Sequence, residues 1–213
     1  MSEDHYKKKR NFSSTPEPAG GERPGNQQPL FVIQEHAASS HHFDFRLEVD
    51  GALKSWAVPK GPSTDPRDKR LAIPTEDHPL AYADFEGVIP EGQYGAGTVI
   101  VWDRGKYDNI TKKDGQKAAL SKALERGHAL VFLHGKKLRG GYALKRFRGR
   151  KNNGSEQWLL VKMDDSEADA RRNPVSTEPD SVISGRSLDE VSVDEGGDDN
   201  NNDNDKNEGE SND

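Results

Sequence analysis

The sequence predicts an all-β protein: a barrel or sandwich of about eight strands with one short helix, an extended N-terminal arm and a disordered acidic C-terminal tail. Three observations carry this. Short runs of β-branched, aromatic and aliphatic residues recur from Leu30 to Met163, Gly, Pro, Asn and Asp punctuate nearly all of them, and a single stretch keeps a helical stripe. Many short strands punctuated in this way build barrels and sandwiches.

Residues 1–29 are rich in Pro, Gly, Ser and charge, as in Thr15-Pro16-Glu17-Pro18-Ala19-Gly20-Gly21, and read as the arm. The expected strands are Leu30–Ile33, Phe43–Val49, Leu53–Val58, Arg70–Ile73, Thr98–Trp102, His128–Leu133, Tyr142–Phe147 and Gln157–Met163, so the β domain occupies residues 30–163. The helix is expected over Gly115–Arg126, where Ala118, Leu120, Ala123 and Leu124 form a stripe and Gly127 offers a stop. Leu130, Phe132, Leu144, Phe147, Trp158, Leu160 and Met163 are assigned to packing. Trp56 and Trp102 join them, because one aromatic in an apolar run is more often core than a stacking platform.

Composition sorts the chain into two parts. Residues 164–213 hold 17 Asp or Glu against 4 Lys or Arg, a net of -13, while residues 1–163 hold 20 acids and 27 bases, a net of +7. The overall charge of -6 therefore hides a basic body, which favours an anionic partner. The tail has few apolar residues and no period, so it cannot bury enough surface to offset the entropy of ordering. Solubility is its plain role; competition with nucleic acid for the basic body is a sharper one. Cysteine is absent, which removes disulfides, Cys-ligated zinc and iron-sulfur clusters. The start is polar and basic (Lys7, Lys8, Lys9, Arg10), without the apolar run of a signal peptide or membrane span. A soluble, cytoplasmic monomer with no membrane partner is expected.

The most informative stretch is His36-Ala-Ala-Ser-Ser-His-His42-Phe-Asp44-Phe-Arg46. Phe43, Phe45, Leu47 and Val49 alternate, so His42, Asp44, Arg46 and Glu48 share the opposite face of a strand. Two imidazoles and a carboxylate suit a divalent first-row ion and leave coordination positions open. The plainer reading, polar residues on a solvated strand face, suits one His better than this cluster with Arg46 beside it. His41 points to the other face if the strand is regular.

Lys60 sits in a rigid Pro-Lys-Gly-Pro turn, Arg70 begins a strand, and Glu76, Asp77, His78, Tyr82, Asp84 and Glu86 crowd one segment. Solvated surface charge is the ordinary fate of Lys60 or Arg70 taken alone. Gly92-x-x-Gly95-x-Gly97 precedes a β-like run, whereas a dinucleotide fingerprint opens a helix, so it reads as a turn. Lys112-Lys113-Asp114-Gly115 matches the Lys-x-Asp-Gly of covalent nucleotidyltransferases, but too little chain follows for such a domain; it reads as a turn starting the helix.

Taken together, Gln34-Glu-His36, His42-Phe-Asp44-Phe-Arg46-Leu-Glu, Leu53-Lys-Ser-Trp56-Ala-Val-Pro-Lys60-Gly-Pro and Glu76-Asp-His78-Pro-Leu-Ala-Tyr82 through Gly97 closely resemble the 3'-phosphoesterase domain of DNA ligase D, the end-processing module of bacterial and archaeal nonhomologous end joining. The resemblance runs from about Tyr6 to Asp164. It implies a compact β-barrel and a manganese-dependent enzyme, other divalent first-row metals being admissible, that removes a 3'-terminal ribonucleoside from a primer-template and then hydrolyses the remaining 3'-phosphate to a hydroxyl. It implies His36, His42 and Asp44 as metal ligands, Arg46 and His78 on the scissile phosphate with Tyr82 beside them, and Gln34, Lys60, Arg70 and Glu76 in supporting positions. Arg10-Asn11-Phe12-Ser-Ser-Thr15-Pro-Glu17 resembles the family's Arg-Asp-Phe-x-x-Thr-x-Glu, with Asn11 replacing the Asp, so no acid-base role is carried onto it. Separately encoded ligase, polymerase and Ku-like proteins are the implied partners.

Two rivals remain at this level. The same ligand types serve iron oxygenases, although Arg46, Lys60 and Arg70 suit phosphate better than a neutral co-substrate. A noncatalytic nucleic-acid-binding repair module would also be basic.

Overall fold

In the computed structural model, which describes residues 3–21, 28–148 and 156–196, the barrel closes. Its strands are β1 (Leu30–Ala37), β2 (His41–Val49), β3 (Ala52–Val58), β4 (Arg70–Pro74), β6 (Gly97–Asn109), β9 (His128–Gly135), β10 (Arg139–Arg148) and β11 (Glu156–Lys162). Antiparallel pairing runs β1-β2-β3-β4-β11-β10-β9-β6, and β6 returns to β1, so eight strands form a ring. All eight expected strands are present. A ninth, β5 (Gly87–Ile89), pairs with the start of β6 outside the ring.

The closing turns follow from local chemistry. Asp50 and Gly51 have φ of 51° and 82° and join Val49 to its partner Ala52 by a two-residue turn. Such primed turns need positive φ at both positions, which Asp-Gly tolerates best. The same chemistry corrects the expected helix. Asp114 (φ 51°) and Gly115 (φ 79°) close a small hairpin, β7 (Lys112–Lys113) with β8 (Gln116–Lys117), so the Lys-x-Asp-Gly stretch is a hairpin tip. The helix itself is confined to Leu120–Arg126 and ends at left-handed Gly127, whose N–H donates to Ala123 O and Leu124 O.

Two apolar clusters flank the wall made by β1, β2 and β3. Inside the ring lie Phe31, Ile33, Phe43, Phe45, Leu47, Trp56, Trp102, Leu144 and Trp158, with Leu120, Ala123 and Leu124 of the helix. Outside it, Leu30, Val32 and Leu53 meet Tyr6, the 3₁₀ turn Leu80–Asp84, Phe85, Ile89, Val99 and Val101. The arm is thus not wholly extended: Glu3–Lys8 is helical and Tyr6 is fully buried, because its ring completes this second cluster.

The tail also differs from expectation. Residues 164–196 are ordered against the barrel; residues 197–213 lie outside the described residues. Short helices at Pro174–Thr177 and Leu188–Gly196 anchor this segment, and Val191 is buried. The sequence underestimated it because its anchors are polar. Trp102 Nε1 donates to Glu178 O at 2.9 Å, Val182 N to Val101 O at 2.9 Å, and buried Lys137 donates to Glu178 O and Asp180 O.

Four core assignments change. Leu130, Phe132 and Met163 are only half-buried and Phe147 is exposed; on β9, Ala129, Val131 and Leu133 take the inward phase. A strand apolar on both faces leaves its phase to the register. Among the described residues no helix is long and apolar enough to cross a membrane.

Candidate metal and phosphate site

β1 extends beyond its expected end and carries His36 into register directly opposite His42, while Gln34 faces Asp44 across the same ladder. His42 and Asp44 share a face of β2, so the two-residue period and one cross-strand pair assemble the cluster. One ligand atom from each of His36, His42 and Asp44 lies within 4.8 Å of the others.

Hydrogen bonds fix which atoms converge. Gly95 O is 2.9 Å from His36 Nε2 and Ser40 O is 2.8 Å from His42 Nδ1. A carbonyl only accepts, so each imidazole spends its proton there and turns its other nitrogen inward. His36 Nδ1 and His42 Nε2 both stand 3.7 Å from Asp44 Oδ2. Lone pairs facing a carboxylate in this way fit a cation held among them. Burial alone would raise the Asp44 carboxyl, but the Arg46 guanidinium beside it outweighs burial and holds it well below the ordinary range. The acid is therefore ionised. His42, 20% exposed, is the most accessible of the three and marks the way in.

Arg46 lies behind the cluster, buried to 3% exposure. Its Nε donates to Gln34 Oε1 (2.7 Å), Nη1 to Ser55 Oγ (2.9 Å) and Nη2 to Asp44 Oδ2 (3.0 Å), and Nη1 also stands 2.9 Å from His78 Nδ1. Four of the five N–H groups of a guanidinium are thus engaged, and one on Nη2 remains. His78 Nδ1 is also 2.9 Å from Glu76 O. Nδ1 thus stands between a donor, Arg46, and an acceptor, the Glu76 carbonyl, and Nε2 is the ring nitrogen that neither engages. Burial first, and then Arg46, hold the His78 pKa well below its ordinary value, so the ring is neutral. Tyr82 stacks 4.7 Å from that ring with Arg46 Cζ 5.0 Å from its own centroid, and its pKa is pushed up by burial. Gln34 Nε2 donates to Tyr82 O and Phe85 O, tying the 3₁₀ turn to the guanidinium.

The arm forms the roof. Arg10 donates to Glu17 at 2.7 Å and to Glu76 at 3.2 Å, Lys9 to Glu76 at 3.1 Å, and the Tyr6 ring lies 5.0 Å from His78. Burial would raise Glu76, but its own backbone N–H, Lys9 and Arg10 bring it below its ordinary value. Asn11 is exposed and, among the described residues, its side chain bonds only within its own turn, to Ser13 and Ser14. Lys60 and Arg70 are not joined to the His-His-Asp cluster by any hydrogen bond or ion pair among the described residues. They line a cavity of about 370 Å³ with Pro59, Asp68, Lys69 and Leu71, and Arg70 pairs with Asp68. Arg70 Nε is buried there without a partner. Glu48, placed on the same face as Asp44 by the alternation, accepts from Leu30 N at the far end of the strand. His41 turns away to Glu35.

Sequence reasoning passed over Tyr6, Ser55, Gly95 and the Ser40 carbonyl. Ser55 stands opposite Arg46, and only the register reveals that pairing. The two carbonyls carry no side-chain signal at all.

A family model described as the DNA ligase D 3'-phosphoesterase domain matches residues 34–146. The multifunctional non-homologous end joining protein LigD of Pseudomonas aeruginosa is 50% identical over 189 residues, covering 86% of this chain and 21% of that protein. Its counterpart in Mycobacterium tuberculosis is 46% identical over 162 residues, covering 74% and 19%. In Mycolicibacterium smegmatis the values are 42% over 167 residues, 75% and 20%. The chain spans about a fifth of the length of the curated relatives it matches.

Proposed function

Because the chain belongs to the DNA ligase D 3'-phosphoesterase domain family, we propose that it is a manganese-dependent enzyme that heals 3' ends during DNA repair by nonhomologous end joining. It removes a 3'-terminal ribonucleoside from a primer-template by diester hydrolysis, then hydrolyses the remaining 3'-phosphate to leave a hydroxyl. The observation that carries this is the convergence of His36 Nδ1, His42 Nε2 and an ionised Asp44 beside a buried guanidinium.

His36, His42 and Asp44 would hold a divalent cation, which would supply charge neutralisation at a phosphate oxygen and make phosphorus more electrophilic. Arg46 keeps Asp44 ionised and fixed, and its remaining Nη2 N–H can donate to a phosphate oxygen as charge builds there. Neutral His78 can hydrogen-bond the same phosphate through Nε2 or, in the tautomer protonated there, donate to the leaving oxygen. The Lys60 and Arg70 cavity supports the reading too, since an unpaired buried guanidinium nitrogen beside a lysine suits an anion such as a neighbouring backbone phosphate. Ligase, polymerase and Ku-like partners acting on the same ends follow from this role, in the cytoplasm where a prokaryotic chromosome lies.

The test is a primer-template ending in a ribonucleoside or a 3'-phosphate, incubated with manganese with and without EDTA. The expected result is stepwise, EDTA-sensitive conversion to a 3'-hydroxyl, and a loss of roughly 10³-fold or more in His42→Ala, because several kcal/mol of charge stabilisation go with the cation. Unchanged ends in the wild type, or full metal-dependent activity in His42→Ala, would overturn it.

A further inference from the structure

The glycine loop Glu91–Gly97, read from the sequence as a turn, lies against the metal cluster. Gly95 gives its carbonyl to His36, and a Cβ built on Gly95 would lie 3.9 Å from His36 Cε1. Gly92, Gly95 and Gly97 have φ of 81°, 82° and 138°, and a Cβ on Gly97 would stand 2.2 Å from Ala37 O. The loop therefore has one shape, dictated by glycine. That shape turns Tyr94 outward, 48% exposed, one residue from the carbonyl that orients a metal ligand.

The tyrosine is not idle. Lys9 Nζ lies 4.1 Å from its ring centroid, Arg10 Cζ lies 5.5 Å away, and its hydroxyl donates to Glu76 Oε2 at 3.4 Å. Lys9 thus caps a face of the ring and Glu76 holds its hydroxyl, while nearly half of the residue's surface stays open for a base on the uncapped side. Among the described residues the other exposed Phe, Tyr or Trp is Phe147, on β10. We propose that Tyr94 is the platform on which the base of the substrate's 3'-terminal nucleotide stacks, making it a specificity residue for ends that carry a terminal nucleoside. The inference rests on the phosphoesterase reading above. Every base presents a π face, so a ring at this place grips an end without selecting its sequence, as end processing requires.

Three manganese-dependent substrates test this: a primer-template tipped with a ribonucleoside, the same tip lacking its base, and a 3'-phosphate. Tyr94→Ala is expected to raise KM for the ribonucleoside tip about tenfold with kcat nearly kept, a typical loss for one base removed from an aromatic ring. Tyr94→Phe should restore the wild-type KM, and the penalty of Tyr94→Ala should shrink to within about twofold on the base-free tip. Equal penalties with and without the base, or a tenfold loss in Tyr94→Phe, would overturn the stacking role in favour of the Glu76 contact. A terminal 2-aminopurine gives an independent reading without turnover. Its fluorescence should be quenched on binding to wild type and Tyr94→Phe but not to Tyr94→Ala; equal quenching in all three would refute the platform even if the wild type hydrolyses nothing, in which case the function proposed above fails separately.

Discussion

The two opposite walls of the barrel invert the usual rule of burial. On the wall of β1, β2 and β3 the outward side chains Gln34, Asp44, Arg46 and Ser55 are polar or charged, yet none is more than 6% exposed. On the wall of β9, β10, β11 and β4 the outward residues include Leu130, Phe132, Leu159, Val161 and Leu71, and all are only half-buried. The register makes the second set continuous, with Leu130 and Val161 flanking Ala143 and Leu159 opposite Leu71. The first wall is roofed by the arm and the 3₁₀ turn; the second has no described segment over it. Polarity thus tracks chemistry, and burial tracks where the chain returns.

Arg46→Met breaks the polar wall most directly. It leaves Asp44 as a buried unpaired carboxylate and Gln34 Oε1 without its donor, so stability should fall by about 3–5 kcal/mol in urea unfolding. A loss under about 1 kcal/mol would mean that this wall is far wetter than its burial implies.

The attachment of the roof should depend on pH. Glu76 titrates below its ordinary value of 4.5 when folded, so its contribution is complete above that value and is lost as pH falls through the folded pKa. Thermal melts of the wild type and Glu76→Gln should therefore differ at neutral pH and converge in acid. A constant gap across the range would contradict the assignment.

The apolar wall should be the least sensitive. Phe132→Ser, placed on a half-exposed face, is expected to change stability by about 0.5 kcal/mol or less. A cost above about 2 kcal/mol would show that something in the chain does cover this wall.

Much of this was legible beforehand. The eight ring strands came from short apolar runs between turn residues, and the His42-Asp44-Arg46 face came from the two-residue period. Gly127 was readable as a helix stop because only glycine enters the left-handed region without cost. What failed did so for local reasons. The helical stripe beginning near Gly115 lost its first turn to an Asp-Gly hairpin, and the acidic segment after Met163 was read as disordered because its anchors are backbone carbonyls. Leu130 and Phe132 were misplaced because His128–Gly135 is apolar in both phases.

The sequence by itself determined the ligand types, the strand that carries two of them and the basic sign of the body, since these depend on residue identity and on a backbone period that is the same everywhere. The tertiary structure alone decided that His36 stands opposite His42, which imidazole nitrogens turn inward, that Arg46 is buried among four partners, and that Tyr94 looks out beside the site. Those facts rest on register, carbonyl direction and the path of returning segments, and each couples residues far apart in the chain through contacts that no local pattern encodes.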